Sequence, residues 1–221
     1  MMQALYTAAT GMLGQEFHVN TIANNLANVN TTGFKKNRVD FQDLMYLVLR
    51  PAGLKTTEGT FTPSGIYVGE GVKVSATTKQ FQQGPLQETG NRFDLAVEGD
   101  GLFAIRLPSG EIAYTRDGSF KADGDGNVVT SDGYFLENPV QIPLDANDIR
   151  ITEDGRVLVK IGNNPELDEV GQILLTRFPN PAGLESVGKN LMLATPASGD
   201  AFEGVGGQDG FGTLAQGFLE G

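Results

Sequence analysis

The chain is 221 residues long, with 39% hydrophobic residues, 30 glycines, no cysteine and no tryptophan. That is enough for a sizeable, turn-rich core, and it excludes disulfide, thiolate-metal and thiol-nucleophile chemistry. The net charge of −11 is uneven, because residues 1–50 carry four Lys/Arg against three Asp/Glu and residues 51–221 twelve against twenty-four; so acidic a body repels a phosphate backbone and argues against nucleic acid as a partner.

With Leu5 as position a of a heptad, the a positions are Leu5, Met12, Val19 and Leu26, and the d positions are Ala8, Gln15, Ile22 and Val29. Only Gln15 breaks the apolar seam. The repeat predicts a helix roughly 40 Å long with a narrow stripe of the coiled-coil kind. Gly11 and Gly14 each cost such a helix about 1 kcal/mol relative to alanine, and the threonines and asparagines cost it more. Burying the six large seam residues against partners returns on the order of 10 kcal/mol, at about 1.5–3 kcal/mol each. The expectation is therefore a segment that folds on contact with a partner. Asn24, Asn25 and Asn28 fall outside the seam, where a side chain with both donors and acceptors suits polar neighbours. "NVNTTGFKK" then reads as a stop: Gly33 is free to take positive φ, and Lys35, Lys36 and Arg38 complement the negative helix end.

Between this helix and the rest of the chain runs "YLVLRPAGLKTTEGTFTPSG", Tyr46 to Gly65. It is too irregular for a helix and too apolar at its start for a tether, so it reads as a docking loop. From Val72 the pattern turns to short alternating runs such as "VKVSATTKQF", "FDLAVE", "LFAIRL" and "RVLVKI". Asp-Gly pairs punctuate these runs as hairpin turns require. The fold class is mainly β: an N-terminal coiled-coil-type α-helix, an irregular insertion and an antiparallel β-rich domain. The expected division is a helix over 1–33, a connector over 34–71, a β domain over 72–202 and a return segment over 203–221.

Catalytic and metal chemistry find no footing. "DGDGN" at 123–127 has alternate oxygen ligands, but an EF-hand loop then needs glycine and glutamate where Val128 and Tyr134 stand, so a hairpin turn is the better reading. His18, the sole histidine, has no nucleophile that the sequence sets beside it, and no carboxylate pair stands out among the acids. No enzyme activity and no cofactor are expected. No apolar run reaches bilayer-spanning length, so no membrane insertion is expected, and the first residues lack the layout of a cleavable signal peptide.

"ANNLANVNTTGFKK", Ala23 to Lys36, closely resembles the N-terminal signature of the flagellar rod and hook proteins, through Asn24, Asn25, Leu26, Asn28, Gly33, Phe34 and Lys35. "LYTAATGM", "PSGIYVGEGVKV", "QQGPLQETGNRFDLAVEGDGLFAI" and "LAQGFLEG" resemble the distal-rod branch in particular. The resemblance implies a structural subunit of a self-assembling helical tube that carries torque from motor to hook. Its terminal helices would pair as a coiled coil in the inner tube, with the β domain as an outer layer. The implied partners are further copies of the chain, neighbouring rod and hook subunits and the surrounding rings, in the periplasmic basal body after export through the flagellar channel. Tyr46, Leu47, Arg50, Pro51, Pro63 and Gly65 fall in a stretch similar to the insertion that stiffens the distal rod. The family pattern continues into a C-terminal heptad helix beyond "QGFLEG"; with the N-terminal stripe intact, the expectation is a shortened chain rather than natural loss of that helix.

Overall fold

The computed structural model describes residues 2–54, 61–162 and 167–221. The chain divides into two compact units, Met1–Ala27 with Lys36–Gln80, and Asn28–Lys35 with Phe81–Gly221.

The first unit holds α1 (Met2–Ala27), β1 (Asn37–Asp43), β2 (Tyr46–Arg50), β3 (Ile66–Gly69) and β4 (Val72–Lys79). β1 pairs antiparallel with β4 through a register shift at Asp40/Phe41, and β2 pairs antiparallel with β3. The sequence reading placed Val72–Lys79 at the head of the β domain, whereas here it is the partner of β1, and α1 packs on both strands. That packing uses small residues. Gly14 is the buried residue of α1, and a Cβ added to it would stand 3.2 Å from Phe41 Cε1 and 3.7 Å from Val72 Cγ1. Gly71 takes φ +121, and there a side chain would collide with Thr10. Close backbone approach of this kind seats the helix with little apolar burial. The end of α1 is then tied to β1, as Asn25 Nδ2 donates to Asn37 O (2.8 Å) and Asn25 Oδ1 accepts from Asn37 N–H (2.9 Å).

The second unit continues with β5 (Leu86–Glu88), β6 (Leu95–Glu98), β7 (Leu102–Arg106), β8 (Ile112–Thr115), β9 (Lys121–Ala122), β10 (Val128–Val129) and β11 (Phe135–Leu136). β12 (Ala146–Ile151), β13 (Arg156–Ile161), β14 (Asp168–Gln172), β15 (Leu175–Arg177) and β16 (Glu185–Gly188) follow. The last are β17 (Leu191–Leu193), β18 (Phe202–Gly204), β19 (Thr213–Gln216) and β20 (Phe218–Glu220). The main antiparallel sheet runs β16-β17-β8-β7-β11-β10-β9, with β15 on β7 and β18 on β15, beside a β12-β13-β14 sheet and the pairs β6–β19 and β5–β20.

Side-chain alternation gives the main sheet two buried faces. Phe103, Ile105, Ala113 and Leu191 join the larger core with Leu95, Val97, Val157 and Val159. Their strand neighbours Leu102, Ala104, Tyr114 and Met192 pack with Phe178 and Leu184 on the other side. Edge-to-face ring contacts lie in both layers, Phe103 on Phe120 at 5.1 Å and Tyr114 on Phe178 at 4.7 Å. Tight turns separate the strands where Asp-Gly pairs stand, as at Gly155 (φ +85) between β12 and β13.

Candidate functional site

The large seam residues Leu5, Met12, Val19, Ile22, Leu26 and Val29 are between 51% and 70% exposed, and Ala8 and Gln15 are exposed as well. α1 ends at Ala27, so Val29 lies just past it. The seam is thus not the face that docks on β1 and β4; Thr7, Thr10 and Gly14 belong to that one. The two faces lie about 140° apart around a helix that turns roughly 100° per residue. α1 thus docks through its small-residue face while the seam is left uncovered. Five large apolar side chains in one line toward solvent, with Val29 exposed just beyond, make a surface that soluble monomers rarely carry.

A second uncovered apolar surface is the β2–β3 hairpin. The segment read as an irregular insertion begins as a regular strand: Tyr46 pairs with Gly69, Leu47 with Val68 and Val48 with Tyr67. Gly53 N–H donates to Thr62 O and Thr62 N–H to Leu54 O, both at 2.9 Å, extending the ladder. Every residue of β2 is exposed, and so are Ile66, Tyr67 and Val68 on β3. Consecutive strand residues point to opposite faces, so Tyr46 and Val48 make one face apolar and Leu47 the other, up to the register shift between Val48 and Arg50. Arg50, Pro51 and Pro63 are exposed and Gly65 is half-buried, while Lys55–Thr60 lie outside the described residues.

From Asn28 onward the signature, with Gly33, Phe34 and Lys35, lies in the second unit. Thr31 N–H donates to Asn28 O (3.0 Å) and Phe34 N–H to Thr31 O (3.2 Å), forming a turn. Gly33, at φ +67, is buried, and its N–H donates to Glu220 O at 2.9 Å. Thr32 Oγ1 donates to Asp117 Oδ1 (3.0 Å), and Asn190 Nδ2 donates to Thr32 O (3.1 Å). Phe34 is half-buried and Asn24 exposed.

Lys35, read from sequence as a complement to a helix end, is buried. Its Nζ donates to Glu220 Oε1 at 2.6 Å and to Gln82 O at 2.8 Å. Arg116 Nε meets Glu220 Oε2 at 2.5 Å, and the guanidinium also donates to the carbonyls of Val97, Gly99 and Gly101. Gly84 N–H completes the shell on Glu220 Oε1 at 2.7 Å. Burial alone would push the Glu220 carboxyl up; the Arg116 guanidinium, Lys35 and the Gly84 amide outweigh it and hold the group below the usual carboxylate range. A carboxyl depressed on folding contributes stability that is fully present above its unfolded value, about 4.3, and that is lost as pH falls through the lower folded one. The expected result is that Glu220→Gln lowers the acid slope of stability by up to about one proton, measured as the urea midpoint against pH. An unchanged slope would mean that this carboxyl is not depressed.

Sequence reasoning missed Glu220, Arg116 and Gly14. The first two lie 185 and 81 positions along the chain from Lys35, outside the reach of any local pattern. The 123–127 stretch is a turn in which Asp123 Oδ1 accepts from the amides of Asp125 and Asn127. His18 stands edge-on to Phe41, ring centroids 6.0 Å apart.

Residues 5–35 match the family model described as flagella basal body rod protein, and residues 96–159 match that of the flagellar hook protein FlgE/F/G D1 domain. The chain is 50% identical over 222 residues to the flagellar basal-body rod protein FlgG of Borreliella burgdorferi, an alignment that covers 100% of this chain and 84% of that protein. It is 36% identical over 227 residues to FlgG of Bacillus subtilis, with 100% and 84% covered. With the flagellar hook protein FlgE of Helicobacter mustelae it shares 39% identity over 155 residues, 70% of this chain and 34% of that protein.

Proposed function

Because the chain belongs to the FlgG family of flagellar basal-body rod proteins, we propose that its uncovered α1 seam is the surface through which copies of it polymerise into the distal rod. It is a structural subunit of the flagellar basal body. Support for a rod over a hook assignment is that the FlgG alignments cover 100% of this chain, whereas the hook alignment covers 70%.

In this reading the work of the protein is mechanical, with no catalytic step. Leu5, Ala8, Met12, Gln15, Val19, Ile22, Leu26 and Val29 form the contact line of the inner tube. The β2–β3 hairpin, with Tyr46, Leu47, Arg50, Pro51, Pro63 and Gly65, wedges between neighbours and stiffens the tube so that torque passes to the hook. Its partners are further copies, adjoining rod and hook subunits and the rings around them, met in the periplasm after export through the flagellar channel. The proposed divisions are the inner-tube segment over 1–33, whose helix is α1, the connector over 34–71 with its strand partner Val72–Lys79, the outer β domain over the rest of 72–202 and the return segment over 203–221. The observation that carries this reading is the seam itself, five large side chains more than half exposed along one line of a formed helix, with Val29 exposed just past its end.

Sedimentation of the full chain over a range of concentrations tests it. Concentration-dependent self-association is the expected result. A monomer at every concentration, combined with saturable binding of a smaller ligand, would replace the rod reading with that of a binding module.

A further inference from the structure

Lys35 and Arg116 are the buried cations among the described residues, and they share the buried Glu220 carboxylate. The other ion pairs described, such as Arg38–Asp40 and Arg106–Glu137, have cations at least one-third exposed. A buried pair is weak evidence for stability, since well-packed apolar residues would hold as well. What it supplies is a single geometry, because each charge must find its partner or remain stranded in a medium of low dielectric.

The parts so joined are informative. Lys35 closes the Asn28–Lys35 segment, the stretch of chain that follows α1; Glu220 ends β20, the last strand; Arg116 follows β8 in the main sheet. The Glu220 main-chain oxygen takes the Gly33 amide while its side chain takes Lys35, so one residue grips the segment twice. Gly221 N–H donates to Pro85 O at 3.0 Å and Gly84 N–H to Glu220 Oε1, which fixes β20 on the chain before β5.

We infer that Glu220 is a positioning residue, which fastens Asn28–Lys35, the segment following α1, to the last strand and the main sheet, so that load carried along the chain into this segment is taken up by the second unit. The inference rests on the rod reading for its mechanical half alone.

Hydrogen exchange on the full chain tests the clamp. Glu220→Gln removes the charge; Lys35→Gln is the second variant, and it leaves the Arg116–Glu220 pair in place should the first fail to fold. Exchange at residues 28–35 is expected to rise by about tenfold or more, the loss of a charge-assisted bond, while the amides of Val97, Phe103 and Val157 keep their rates. Unchanged exchange at 28–35, or an equal rise throughout the unit, overturns the clamp. Sedimentation of the same variants tests the mechanical half. Weaker self-association than the native chain supports it, and equal association with an opened clamp overturns it. Failure of the native chain to associate would sink the rod reading and that half together, leaving exchange to decide the clamp.

Discussion

Leu26→Asp leaves the monomer as stable as the native chain and stops it from polymerising. Leu26 is 70% exposed on α1, so its replacement removes no packing from either unit; a surface change of this kind shifts stability by about 0.5 kcal/mol or less. In the assembled state the same position would be covered. The variant then forfeits about 1.5–3 kcal/mol of apolar burial and places an unpaired carboxylate where water is excluded, at a cost of several kcal/mol more. A combined loss of at least about 4 kcal/mol raises the concentration needed for assembly roughly a thousandfold or more. Thermal unfolding followed by circular dichroism checks the first half, and pelleting of polymer across a concentration series checks the second. Assembly of the variant at the native concentration would remove the seam from the interface.

Gly33→Ala is expected to cost the second unit about 3–5 kcal/mol. Two effects combine. At φ +67 an alanine adopts a left-handed conformation that costs about 1–2 kcal/mol. Its Cβ would also stand 2.6 Å from Asp117 N and 2.7 Å from the Arg116 carbonyl carbon, main-chain atoms that cannot swing aside as a side-chain tip would. Relief of that overlap would lift the Gly33 amide from Glu220 O and disturb Lys35 beside it. Gly110→Ala separates the two effects, since Gly110 has φ +88 and nothing within 4 Å of the added Cβ. It should cost only the left-handed share, about 1–2 kcal/mol. Urea unfolding of both variants decides; equal losses would show that the approach to Arg116 and Asp117 is not what requires glycine at position 33.

The heptad of Leu5 to Leu26 made α1 legible, because apolar spacing is a local property that survives in a single sequence. The alternating runs, with Asp-Gly turns between them, did the same for β7, β8, β12 and β13. The mate of α1 was hidden, for its docking face is written in Thr7, Thr10 and Gly14, which carry no hydrophobic signal. β1 was hidden too. "NRVDFQD" buries Val39 alone among its seven residues, so it reads as polar connector until β4 is seen beside it. In the signature, Gly33 was legible as a site of positive φ, but its cause was not: a close approach to residues 116–117 and a bond to residue 220. Lys35 was misread for the same reason, since a buried cation is recognisable only once its distant carboxylate has been placed.

The two-faced hairpin bears on how a polymer of these subunits would begin. With Tyr46 and Val48 on one face and Leu47 on the other, a neighbour on one side leaves part of its apolar area uncovered. A dimer would therefore recover little of what an interior subunit recovers, and the first few additions would run uphill until a complete turn encloses the hairpin from both sides. Growth from an existing tip would face no such delay. A protein built this way would assemble alone only above a threshold concentration and elongate readily below it on a template, so the place and moment of assembly would be set by whatever provides the first ring.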